Sequence, residues 1–194
     1  MIQDPISDLA SKLPQATALV AEAMRLLWGN ALDDPSMQDT PSRVVRYWVE
    51  ATEGLNHDPA KPLQTRFKVH SDDLVIVKDI PFQSLCEHHL LPVLGKAHIA
   101  YIPQGWVTGL SKLPRAVDIL SRRPQLQERL TSQIGELLVQ TLNPLGVAVL
   151  LEAEHTCMSG RGVRKSGALT RTSYLHGVLR DDTQARAEVF SLLR

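Results

Sequence analysis

Apolar side chains recur with two different periods along this chain, and the change from one to the other divides it. Between residues 15 and 29, Leu19, Val20, Ala23, Met24, Leu27 and Trp28 follow the spacing of a helix with one buried stripe. Asp33-Asp34-Pro35 breaks the pattern. Thr40-Pro41 restarts it as a capping residue followed by proline at the first helical position, with Val44, Tyr47, Trp48 and Ala51 as the stripe. Gly54 and Asn56-His57-Asp58-Pro59 predict the end of this second helix. From Phe67 the pattern changes to that of strands, predicted over 67–70, 74–77 and 80–82, the last leading into Cys86, and then over 95–102. A short helix is predicted over 111–120, with Leu113, Ala116, Val117 and Leu120 inward. A longer one begins at Pro124, carries Leu126, Leu130, Ile134, Leu137 and Leu138 on its stripe, and ends near Asn143-Pro144. A strand over 146–154, a glycine-rich basic loop over 158–167, a strand over 168–175 and a terminal helix over 181–193 complete the outline. Helices first, then strands interrupted by two helices, predict an α+β fold, with a helical region over residues 1–60 and the main domain over 61–194.

Composition narrows the function classes. Lys and Arg total 21, Asp and Glu total 21, and the formal net charge is zero, so no global field favours nucleic acid or a membrane surface. Any polyanion must therefore be held by a local cluster of cations. The two cysteines form no disulfide framework, and reduced thiols suit a cytoplasmic protein. The stretch 1–8 is acidic and lacks the apolar segment of a signal peptide, and no apolar run reaches the length of a membrane span.

The densest chemistry lies in Cys86-Glu87-His88-His89, which is matched downstream by His155-Thr156-Cys157. Cys86 and His89 have the C-x-x-H spacing that lets two side chains close on one metal, and Cys157 can supply a third ligand. Two thiolates and one imidazole are the inventory of a catalytic zinc, whose fourth position stays open for water. The alternative is two ordinary cysteines acting as small hydrophobes. His88 and His155, each beside a candidate ligand, suit proton transfer. Ser111 precedes Lys112 and Arg115, which are three apart on a helix and so form an anion site at a helix N-terminus; the competing reading is a solvated face with Arg115 paired to Asp118. The loop Gly160-Arg161-Gly162-Val163-Arg164-Lys165 brings Arg161 close to any metal at Cys157. Arg43 and Arg46 could add cations or could simply line an exposed helix face. Gln127-Glu128 either reads a nucleobase edge, the carboxylate accepting two parallel N–H bonds from guanine, or places an acid where the helix dipole favours it.

Four segments together resemble the zinc-dependent GTP cyclohydrolase I family. They are Cys-Glu-His-His at 86–89, Gly-Leu-Ser-Lys-Leu-Pro-Arg at 109–115, Arg-Pro-Gln-Leu-Gln-Glu-Arg-Leu-Thr at 123–131, and His-Thr-Cys with Arg-Gly-Val-Arg over 155–164. The match extends upstream to Asp39-Thr40-Pro41-Ser42-Arg43. The resemblance implies a tunnelling fold, an antiparallel sheet with two helices on one face plus an N-terminal helical pair, assembled as a homodecamer with active sites between subunits. It implies zinc on Cys86, His89 and Cys157, and GTP as the substrate. Ser111, Lys112, Arg115 and Arg161 would take the triphosphate and ribose side, with Arg43 and possibly Arg46 from a neighbour. Gln127 and Glu128 would read the guanine, and His88 and His155 would move protons. The implied activity is hydrolytic opening of the guanine imidazole ring, with formate and 7,8-dihydroneopterin triphosphate as products. Three readings compete with it. A nucleobase deaminase wants a C-x-x-C that this chain lacks. A related ring-opening enzyme of a deazapurine pathway would look similar, and a zinc-stabilised assembly module would need none of the histidines or cations.

Overall fold

The computed structural model describes residues 5–193, with side chains from residue 9. The expectation drawn from residues 1–8 lies outside the described side chains. The chain forms two compact units, Met1–Thr52 and Glu53–Arg194. In the first, helix α1 (Pro5–Trp28) extends ten residues further toward the N-terminus than the apolar stripe indicates, and Pro14 lies inside it. A short 3-10 turn at Gly29–Asp33 leads toward α2 (Thr40–Ala51), which packs against α1. Pro41 sits in the first turn of α2, where its missing N–H has no helical partner to lose.

In the second unit, β1 (Arg66–Lys68) pairs only with β4 (Trp106–Thr108), away from the main sheet. The main sheet has five strands in the order β5-β2-β3-β6-β7. Strands β2 (Val75–Cys86), β3 (Pro92–Ile102), β6 (Gly146–His155) and β7 (Leu169–Gly177) run antiparallel to their neighbours. The two residues of β5 (Pro124–Gln125) lie parallel to the end of β2, with Cys86 opposite Gln125. That short strand explains why the long helix α4 (Gln127–Leu142) starts three residues later than the proline signal indicates. The predicted gap at Lys78-Asp79 is a β-bulge. Asp79 takes a left-handed φ of 59° there, and its N–H donates to Nδ1 of buried His98 at 3.2 Å.

Alternation along the strands decides what each face covers. Ile80, Phe82, Val93, Ala97, Ile99, Val147, Val149, Leu151 and Ala153 turn toward α3 (Lys112–Ser121) and α4. Those helices answer with Leu113, Ala116, Val117 and Leu120, and with Leu130, Ile134, Leu138 and Leu142. On the reverse face Ala100 and Ala148 meet Leu179 of α6 (Val178–Asp181) and Val189 and Leu193 of α7 (Thr183–Leu193). The expected α+β layout, two helices on one face of an antiparallel sheet, is therefore present, and the terminal helix is split at Asp182.

Helix α4 runs along β7 by a matched set of contacts. Gln127 bonds to Thr170 and Thr172, Thr131 bonds to Thr172, and Gly135 faces Tyr174. At Gly135 a Cβ would fall inside the Tyr174 ring. Gly135→Ala should therefore destabilise the protein by about 2 kcal/mol, because the overlap outweighs a helix-propensity gain of about 1 kcal/mol. The urea midpoint measures this, and an unchanged or raised midpoint would mean that the ring moves aside freely.

Candidate active site

The register of β3 against β6 builds the site. Val93 stands opposite His155, so the start of β3 and the end of β6 lie side by side. The turn carrying Cys86, His88 and His89 joins β2 to β3, while α5 (Thr156–Ser159), with Cys157, continues β6. Leu90 closes the turn in the left-handed region at φ 52°, and its N–H donates to the Cys86 carbonyl at 2.8 Å. Thr156 fastens the other side by donating its hydroxyl to the Pro92 carbonyl at 2.6 Å. The sequence separation of Cys86 and Cys157 thus collapses onto one strand pair.

The donor atoms of Cys86, His89 and Cys157 all lie within 4.8 Å of one another. Cys86 Sγ is 3.7 Å from His89 Nδ1. A tetrahedral zinc with metal–sulfur bonds of about 2.3 Å and metal–nitrogen bonds of about 2.0 Å has donor edges of about 3.5 to 3.8 Å, so this donor set fits that ion. The electrostatics agree. Burial first, and then the neighbouring Cys86 sulfur, push the Cys157 thiol above its ordinary value, as expected where two sulfurs share a site without a cation. A divalent cation reverses that bias, because it favours both thiolates. Arg161 donates to His89 Nε2 at 2.6 Å. Arginine can only donate, so this contact puts the His89 proton on Nδ1. A metal on Nδ1 and the arginine contact on Nε2 would therefore exclude each other.

His88 is exposed on the turn, 4.0 Å from Cys86 Sγ through Nδ1. His155 is half-buried, and its Nε2 lies 2.7 Å from Gln127 Oε1. Burial holds His155 below the ordinary histidine range, with the nearby Glu128 carboxylate opposing the shift. Glu128 is exposed in the first turn of α4, whereas Gln127 is buried, so the two neighbours face different surroundings. Ser111 occupies the cap position of α3 but makes no capping bond with its hydroxyl. Among the described residues neither Lys112 nor Arg115 makes an ion pair, so both ammonium and guanidinium remain available to an anion. Arg43 and Arg46 are exposed on α2 in the first unit, and Arg43 reaches Asp39 at 3.4 Å.

The profile of the GTP cyclohydrolase I family matches residues 17–194. The chain belongs to the GTP cyclohydrolase I family. It is 52% identical over 179 residues to GTP cyclohydrolase 1 of Bacillus subtilis (strain 168), covering 90% of this chain and 94% of that one. It is 51% identical over 187 residues to GTP cyclohydrolase 1 of Halalkalibacterium halodurans, covering 94% of this chain and 96% of the relative. Among solved structures, the apo archaeosine synthase QueF-Like superposes with a TM-score of 0.46 at 22% identity, covering 54% of this chain and 93% of that one. In the family's terms the chain is a hydrolase, and its Cys86, His89 and Cys157 form a donor group that could hold a metal ion. Among the described residues no helix is long and apolar enough to cross a membrane.

Three residues with no role in the sequence reading also belong to the site's frame. Glu87 accepts a bond from Arg129 of α4, and Arg129 Nε donates to Gln125 Oε1 at 3.0 Å. Gln125 in turn donates to Gln133 Oε1 at 2.8 Å and to the Leu120 carbonyl at 2.9 Å. The metal turn is thus tied to the helix that carries Glu128. No local pattern announces this, because Glu87 and Arg129 are 42 residues apart. Both partners remain partly exposed, which limits the pair to about 0.5–1 kcal/mol. A double-mutant cycle on Glu87→Gln and Arg129→Ala, read by denaturant unfolding, should return a coupling of that size. Strict additivity would mean that the pair contributes nothing.

Proposed function

We propose that this protein hydrolytically opens the guanine imidazole ring of GTP, releases formate and forms 7,8-dihydroneopterin triphosphate, the entry to pterin and tetrahydrofolate synthesis. The observation that carries the reading is the convergence of the Cys86, His89 and Cys157 donors beside His155 and Glu128 in a chain of this family. A zinc ion on those three donors would supply a Lewis acid and an activated water.

The chain's own residues do the rest. Glu128 accepts the parallel N1–H and 2-amino hydrogens that only guanine presents. Lys112, Arg115 and Arg161 hold the triphosphate, and Ser111 lies on the ribose side. His88 and His155 move the protons as water adds at C8, one passing to N7 and one being taken up from the attacking water, which opens the ring to a formamide. A second hydrolysis releases formate. The ribose then opens, undergoes an Amadori rearrangement beside Ser111 and recloses with loss of water, so one water is consumed overall. Catalysis belongs to the domain over residues 61–194. Arg43 and Arg46 complete the phosphate site of a neighbouring subunit in a cytoplasmic homodecamer, an assembly that light scattering tests.

Purified, zinc-replete protein incubated with GTP should yield formate and, after oxidation, a fluorescent pterin. Absence of both products would overturn the reading. Cys157→Ser should lose bound zinc and turnover together, and a variant with full activity and no metal would refute the ligand set. Glu128→Gln should raise KM for GTP at least tenfold with zinc content unchanged, since it removes one of two charge-assisted acceptors. A parallel loss of zinc would instead point to a folding defect.

A further inference from the structure

Gln127 lies in the site's wall, yet both ends of its amide are already engaged within the protein. It is only 5% exposed. Its Nε2 lies 3.0 Å from the Thr170 carbonyl, 3.3 Å from the Leu151 carbonyl and 3.1 Å from Thr172 Oγ1. Two of these three neighbours are carbonyl oxygens, which can only accept, so the amide nitrogen must face them and the amide oxygen must face His155.

The threonines fix the remaining protons. Thr131 Oγ1 donates to the Gln127 backbone carbonyl at 2.7 Å. Its proton being committed, Thr131 Oγ1 accepts from Thr172 Oγ1 at 2.6 Å. Thr172, having donated, is left to accept, and it shares the two hydrogens of Gln127 Nε2 with the Thr170 and Leu151 carbonyls. A closed ring results, running from the Gln127 side-chain amide through Thr172 and Thr131 back to the Gln127 carbonyl, with one direction for each hydroxyl hydrogen. Gln127 Oε1, 2.7 Å from His155 Nε2, can only accept. His155 Nε2 therefore carries the proton, and Nδ1 carries the lone pair.

We propose that Gln127, oriented by Thr172 and Thr131, is a positioning residue that locks His155 in the Nε2–H tautomer and leaves Nδ1 as its proton-transferring nitrogen. This rests on the proposed function for its catalytic consequence and assigns base recognition to Glu128 alone. A buried polar ring with these partners resists rearrangement, because any flip strands a donor or acceptor away from water.

The test uses the zinc-loaded protein at one fixed pH. Nitrogen-15 spectra of histidine-labelled protein should show His155 with Nε2 protonated and Nδ1 bare. Gln127→Leu should abolish that single-tautomer signature, lower kcat about 10- to 100-fold and leave KM for GTP, the preference for GTP over ITP, and zinc content within about twofold, the scale being set by loss of oriented acid–base catalysis. Thr172→Val, which breaks the ring while keeping the Gln127 and His155 side chains themselves, should lower kcat by a smaller factor with the same unchanged KM, and it decides the matter if Gln127→Leu does not fold. A wild-type His155 protonated on Nδ1 would overturn the proposal. So would an unchanged kcat in both variants, or a raised KM with lost GTP preference, which would mean direct base reading by Gln127. The wild-type spectrum needs no substrate, so a protein inactive on GTP would defeat the proposed function while leaving the tautomer assignment to stand or fall by itself.

Discussion

A buried side-chain amide must satisfy four hydrogen-bonding positions away from water, and at Gln127 that constraint joins three elements. Its nitrogen reaches carbonyls on β6 and β7 and its oxygen reaches the last residue of β6, while its own backbone opens α4. Leaving one such group unsatisfied costs about 1–3 kcal/mol, so helix and sheet are held to a single arrangement at this corner. The corner is where the proposed chemistry lies. Cys157 sits two residues past His155, and Glu128 sits one residue past Gln127 on the open side of the same helical turn.

Much of this was legible in the chain, and the exceptions have physical causes. The C-x-x-H clip is local, so Cys86 and His89 could be paired from spacing; their meeting with Cys157 depends on strand register, which spacing does not carry. The bounds of α2 and the inner stripes of α3 and α4 follow apolar periodicity closely. On the expected stripes of α1 and α2, however, Leu19, Leu27, Trp28 and Trp48 are exposed, and the buried apolar side chains of these helices include Met24 and Val45. The start of α4 departs from the sequence pattern because Pro124 looks like a helix opener, whereas pairing with the end of β2 keeps Pro124 and Gln125 extended. Two short strands were expected where β2 runs unbroken through a bulge, since Lys78-Asp79 interrupts the apolar pattern while His98, 19 residues away, supplies the acceptor that holds the bulge. Gln127 shows the limit most plainly. Its residue type suits a base reader, and only its surroundings reveal that both ends of the amide are occupied within the protein.

The charge distribution follows the same division between local and long-range information. A chain with zero formal net charge places Arg161 against the metal-site imidazole, leaves Lys112 and Arg115 without carboxylate partners, and neutralises Arg129 with Glu87. Lys112 and Arg115 stand at the N-terminus of α3, where the helix dipole adds to their field. Arg129 lies between the turn carrying Cys86 and α4, where a free charge would compete for an incoming anion.

The ladder of contacts between α4 and β7 carries a geometric consequence. Residues 127, 131 and 135 of the helix step along residues 170, 172 and 174 of the strand. Four helical residues rise about 6 Å and two strand residues rise about 6.6 Å, so the two elements mesh like a rack with equal teeth. A slip of one strand residue would turn the wrong face to the helix, and the next permitted position lies a full tooth away. The depth at which the helix delivers its first turn is therefore quantised, and the active corner can be assembled or missed by about 6 Å, with no intermediate setting in which the helix sits slightly out of place.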